Sequence, residues 1–144
     1  MKITMKQLAD RINGRDIGEE ITKDDIMDAK ESGLLIVCGA SDDLTVFYGA
    51  FSDEAGAWGG ETHKVTTSGD IFYVQEEHDD LIKAGWTPPK IVMEVTAEWS
   101  PTDPAASWLI TANVPYESFD IMEDGELYCR GIVVDFAAAK AAAA

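Results

Sequence analysis

Residues 34–51, Leu-Leu-Ile-Val-Cys-Gly-Ala-Ser-Asp-Asp-Leu-Thr-Val-Phe-Tyr-Gly-Ala-Phe, constrain the fold more than any other stretch of the chain. Two apolar runs rich in β-branched and aromatic residues flank a short polar segment, 39–43, that can turn the chain, so the stretch reads as a β-hairpin. The first run is almost continuously apolar. Such a strand is covered on both faces and belongs near the middle of its sheet. The chain after it reads as further hairpins added to this one, and the chain before it as helices that cover it.

In residues 4–13, Met5, Leu8, Ala9 and Ile12 fall on one helical stripe, with Thr4 as N-cap and Asn13-Gly14 as the stop. A second helix starts at Thr22, followed by acids in its first turn; Ile26, Ala29 and Met27 face inward and Gly33 ends it. Its acids Asp24 and Asp25 are accounted for by helix-terminus electrostatics and are not read as a site. Residues 52–60 form a Gly-rich loop around Trp58, which either caps the edge of the core or anchors a ligand. No Gly-Lys-Ser/Thr follows, so this is neither a phosphate-binding loop nor a dinucleotide fingerprint.

Residues 62–67 and 71–74 flank Ser68-Gly69-Asp70 as another hairpin, and a short helical turn ends at Gly85 before Pro88-Pro89. Residues 90–100 alternate, placing Met93 and Val95 on a buried face and Glu94 and Glu98 on the outer one. Their antiparallel mate runs from Trp108 to Val114. The last hairpin turns at Glu123-Asp124-Gly125-Glu126 and returns through 127–136. Together these elements predict one α+β domain over residues 1–136, a mostly antiparallel sheet of successive β-hairpins covered by two N-terminal helices. The Ala-rich tail, 137–144, is low in complexity and foreign to the rest; it is set aside from function.

Charge decides which partners are possible. The chain has 27 acidic and 11 basic residues, a net charge of −16. Residues 1–15 carry four cations against one acid and Lys140 adds another cation, which leaves −20 on residues 16–136. A polyanionic body disfavours nucleic acid and anionic membranes, because counterion release needs Lys and Arg at the phosphates. A basic partner is favoured, or the acidity only keeps the protein dissolved.

The N-terminus lacks the apolar run of a signal peptide, and no stretch approaches the roughly 18 apolar residues of a membrane span. With only Cys38 and Cys129, both in apolar runs, a reduced cytoplasmic protein is expected in which each cysteine is a small buried hydrophobe, a disulfide between them being the lesser alternative.

No catalytic signature stands out, and an enzyme is not expected. The segment Glu76-Glu77-His78-Asp79-Asp80 matches neither calcium-loop nor zinc-ligand spacing, so it reads as a solvated run; no metal or cofactor is predicted. Ser41-Asp42-Asp43 lacks a nucleophile elbow. The more informative pattern is the placement of acids in turns and on one strand face: Asp42, Asp43, Asp53, Glu54, Glu76, Glu77, Asp79, Asp80, Glu94, Glu98, Glu123, Asp124 and Glu126. Carboxylates held on a rigid sheet can imitate DNA phosphates and dock where a nucleic-acid-binding protein keeps its Lys and Arg. These acids, with Trp58, are the candidate partner-binding residues.

The segments Gly39-Ala40-Ser41-Asp42-Asp43-Leu44, Asp53-Glu54 and Glu123-Asp124-Gly125-Glu126-Leu127-Tyr128-Cys129-Arg130-Gly131-Ile132-Val133 carry a resemblance. Over residues 4–136 the chain resembles small acidic proteins of largely unknown function encoded by bacteriophages and prophages. The resemblance implies a phage-borne accessory gene, and such genes often encode inhibitors of host defence, anti-CRISPR proteins among them. Asp42-Asp43 and the pair Tyr128 and Arg130 are the first places to seek a shared surface, although Asp42-Asp43 can equally shape a turn and Arg130 pair with a neighbouring acid.

The expected function is therefore inhibition of a basic host protein such as a CRISPR effector, by DNA mimicry and in a bacterial host's cytoplasm. Two alternatives stand beside it: a small-ligand binding protein with the Trp58 loop as lid, and a structural or regulatory phage homo-oligomer, a dimer for instance.

Overall fold

The computed structural model describes residues 2–16, 21–40, 43–47, 51–56, 61–67, 71–73, 80, 82–85, 87, 90–98 and 109–143. Its helices are α1 (Met5–Ile12), α2 (Lys23–Glu31) and α3 (Phe136–Ala143). Its strands are β1 (Arg15–Asp16), β2 (Leu34–Ala40), β3 (Asp43–Phe47), β4 (Phe51–Gly56), β5 (Glu61–Thr66), β6 (Ile71–Tyr73), β7 (Ile91–Glu98), β8 (Leu109–Ala112), β9 (Tyr116–Glu123) and β10 (Glu126–Asp135). The fold is α+β, as expected.

The strands form two sheets where the hairpin pattern suggested one. A six-stranded sheet has the order β1-β9-β10-β2-β3-β4, and a four-stranded sheet the order β6-β5-β7-β8. All pairings are antiparallel except that of β1 with β9. The expected hairpins β2-β3, β5-β6, β7-β8 and β9-β10 all form.

Strand β2 lies inside the larger sheet, and both of its faces are covered. Leu34 and Ile36, with Val133, Phe119 and Ile121, pack against Leu8, Ala9 and Ile12 of α1 and Ala29 of α2. Leu35 and Val37, with Ile132 and Val134, pack against Val65, Met93, Val95 and Ile110 of the second sheet. The result is three layers, helices on sheet on sheet, and this is why residues 34–37 are uninterruptedly apolar.

Both N-terminal helices start as their sequences predict. Thr4 and Thr22 each cap a helix through a reciprocal capping box, with Gln7 and Asp25 respectively. Met27 differs from expectation: it is 49% exposed, because the inward stripe of α2 runs through Asp25 and Ala29 and leaves Met27 on the outer side. At the end of α2, Gly33 adopts φ +69°, a left-handed conformation that closes the helix. A Cβ there would lie 2.8 Å from that of Ala137, so this glycine also lets α3 approach.

The Ala-rich tail is not a featureless appendage. Phe136 is fully buried and Ala139 nearly so, three residues apart on one face of α3. Asp135 accepts a hydrogen bond from the Ala138 N–H at 3.0 Å and so caps the helix, and the Lys140 ammonium lies 5.0 Å from the Phe136 ring centroid. No helix among the described residues is long and apolar enough to cross a membrane.

Candidate functional site

The chain has three arginines, Arg11, Arg15 and Arg130, and each grips an aspartate of its own chain. Arg11, from α1, donates from Nε to Asp25 Oδ1 at 3.1 Å and from Nη1 to Asp28 Oδ2 at 2.9 Å. Its buried Nη2 sits 2.9 Å from Asp25 Oδ1 without hydrogen-bond alignment, an ion contact only. Arg15, from β1, donates through Nη1 to Asp25 Oδ2 and through Nη2 to Oδ1 at 3.2 Å. Thr22 adds its N–H and its hydroxyl to Oδ2, each at 2.9 Å.

Asp25 is 1% exposed. Burial pushes its carboxyl up, but the Arg15 hydrogen bond, those of Thr22 and the Arg15 charge together hold it below the usual carboxylate range. The hydrogen bond from Arg11 likewise lowers Asp28. For Arg11, burial works against the charged form, while Asp28 and Asp25 prevail and raise it. Asp25 therefore ties together α1, β1 and α2, a role that the local capping pattern did not disclose.

This clamp places the next residue. Asn13 Oδ1 accepts from the Asp120 N–H and the Gly14 N–H donates to the Asp120 carbonyl, both at 2.8 Å, which starts β1 alongside β9. Strand alternation then sends Arg15 toward Asp25 and leaves Asp16 exposed. Asp16 joins Glu123, Asp124 and Gly125 around a depression of about 400 Å³.

The hairpin tip in this depression has φ +50° at Asp124 and φ +83° at Gly125, the positive pair of a type I′ turn. Glu123 and Glu126 face each other across it. Among the described residues, no cation pairs with Asp16, Glu123, Asp124 or Glu126. Arg130 is committed elsewhere: its Nε donates to Asp120 Oδ1 at 3.1 Å, across the β9-β10 pair. It thus takes the neighbouring-acid role.

The remaining candidate acids do not form one row. Asp43 begins β3, and Asp53 and Glu54 lie within β4, which continues where a loop was expected. These strands are at the opposite edge of the larger sheet from β1. Asp80 is exposed in a helical turn, whose next N–H bond runs from Ala84 to its carbonyl at 3.0 Å.

Glu94 is half-buried rather than fully outward. It stands opposite Lys64 on β5, and its N–H donates to Asn113 Oδ1 at 2.8 Å. Its neighbour Val92 is buried too, on a strand that α3 contacts, so β7 is more covered than simple alternation implied. Glu98 ends β7, opposite Leu109. Asp42, Trp58, Glu76, Glu77 and Asp79, and the side chains of Cys38 and Cys129, lie outside the described residues.

The densest grouping of candidate acids in the described structure is thus the β9-β10 tip with Asp16, a residue the sequence pattern did not single out. Comparison of the chain with protein-family models, curated proteins and solved structures gives no match.

Proposed function

We propose that the protein is a stoichiometric inhibitor that presents carboxylates to the nucleic-acid site of a basic protein. The observation that carries this reading is the commitment of all three arginines to intramolecular ion pairs in a chain of net charge −16. Arginine is the residue suited to bidentate phosphate recognition, and here that residue type is spent on Asp25, Asp28 and Asp120. Exposed lysines remain, Lys6, Lys23 and Lys90 among them, but acids outnumber them, and Asp16, Glu123, Asp124 and Glu126 gather at one hairpin tip.

A partner meeting this surface gains the steering and ion release that DNA would give it. The resemblance to phage and prophage proteins makes a host-defence protein, a CRISPR effector first, the partner to test. Neither turnover nor a cofactor is required.

The test is capture from bacterial lysate at low salt, using the wild type and the variant Asp16→Asn, Glu123→Gln, Asp124→Asn, Glu126→Gln. The reading expects a nucleic-acid-binding complex held by the wild type, lost in the variant, and released by both duplex DNA and high salt. Equal retention by the variant, or a partner that duplex DNA leaves in place, would overturn it.

A further inference from the structure

Away from the acidic tip, α1, α3 and the link between β8 and β9 enclose an apolar groove of about 270 Å³. Met5 forms one wall and Val114 and Pro115 another. Ala138 and Ala142, four residues apart on α3, present methyl groups one turn from each other where longer side chains would fill the space. Among the described residues, one charged residue lines it, Asp135. Its Oδ1 accepts from Ala138, and among the described residues no cation pairs with it.

We infer that this groove binds a small amphiphilic cation, an apolar chain or ring carrying a single ammonium or amidinium group. The volume suits a ligand of a few carbons, and Met5 supplies an unbranched side chain that adapts to its shape. Charge decides among occupants. An anion is repelled by a carboxylate on a protein already at −16, and a second copy meets the same net repulsion. A cation is attracted to Asp135 and to the net charge of the molecule, which outweighs the local +3 of residues 1–15 on which Met5 lies. A neutral apolar ligand of the same shape fills the groove but leaves Asp135 unpaired.

The experiment is an NMR titration of the full chain with n-hexylammonium, n-hexanol and n-hexanoate, following the amide and methyl signals of Ala138, Ala142 and Val114. Hexylammonium is expected to saturate these signals and to bind about two- to fivefold more tightly than hexanol at low salt, the range of a partly exposed ion pair. Hexanoate is expected to bind most weakly.

Asp135→Asn keeps the acceptor for Ala138 and removes the charge, so it should bring the amine and the alcohol to equal affinity. Ala142→Leu, a helix-compatible substitution, should abolish both while the remaining spectrum stays folded. The inference fails if no saturable shift appears, if hexanoate binds as well as hexylammonium, or if Ala142→Leu leaves the titration unchanged.

Discussion

Asp25→Asn is the sharpest probe of how this fold is held together. The carboxylate accepts from Arg11, from both terminal nitrogens of Arg15 and from two groups of Thr22, at 1% exposure. Asparagine keeps the shape and one acceptor oxygen, so most of the capping contribution survives. The negative charge that balances two guanidinium groups does not. The guanidinium groups left behind are 31% and 22% exposed, and Arg11 keeps Asp28. The cost therefore falls below that of a fully buried unpaired charge, at about 1–3 kcal/mol, still a sizeable part of the roughly 5–15 kcal/mol that holds a domain of this size together.

Urea unfolding at pH 7 should show that deficit as a lower midpoint at an unchanged slope. The sign of the pH dependence follows from Asp25's lowered folded-state pKa. The stabilisation is complete above the unfolded carboxyl value of about 3.9 and is lost as pH falls through the lower folded value. Wild type and Asp25→Asn should therefore converge at strongly acidic pH. In a double-mutant cycle with Arg15→Met, the coupling should reach about 1.5–3 kcal/mol, as for a hydrogen bond between charged groups. A deficit below about 1 kcal/mol at pH 7, short of that range, or one that persists unchanged into acid, would refute the clamp.

Four further substitutions, one of them compensatory, test other joints of the structure. At Gly131 a Cβ would lie 2.3 Å from Phe119 Cζ and 2.7 Å from the Val37 carbonyl oxygen, so Gly131→Ala should cost about 1–3 kcal/mol in chemical unfolding. Phe119→Leu in the same chain should recover part of that loss. Glu126→Lys replaces a like-charge pair opposite Glu123 and should stabilise the protein by about 0.2–1 kcal/mol in thermal unfolding while weakening capture of a basic partner. Phe136→Ala should cost about 3–5 kcal/mol and remove hydrogen-exchange protection from α3, which distinguishes a packed helix from a dispensable tail.

What the sequence discloses and what it hides divide along sequence separation. The double-sided burial of residues 34–37, the Thr4 and Thr22 caps and the Asp124-Gly125 turn are local consequences of side-chain period and backbone sterics, and each forms as its pattern requires. Strand β1 has two residues, too few for any period, and its place beside β9 depends on Asn13 meeting Asp120, 107 positions away. The second sheet is hidden for a related reason: alternation in β7 announces a buried face without saying what buries it.

Asp25 is the instructive failure. An acid at the third position of a capped helix already has a sufficient local explanation, and Arg11 and Arg15 are four apart across a helix end at Asn13-Gly14, so their convergence leaves no helical pattern. Among 27 acids, residue type alone cannot separate a keystone from a solvated surface group. Only the scarcer partner can. With three arginines in the chain, the aspartates they select are the acids the fold needs, and the exposed acids at the β9-β10 tip are the surplus from which a binding surface can be made.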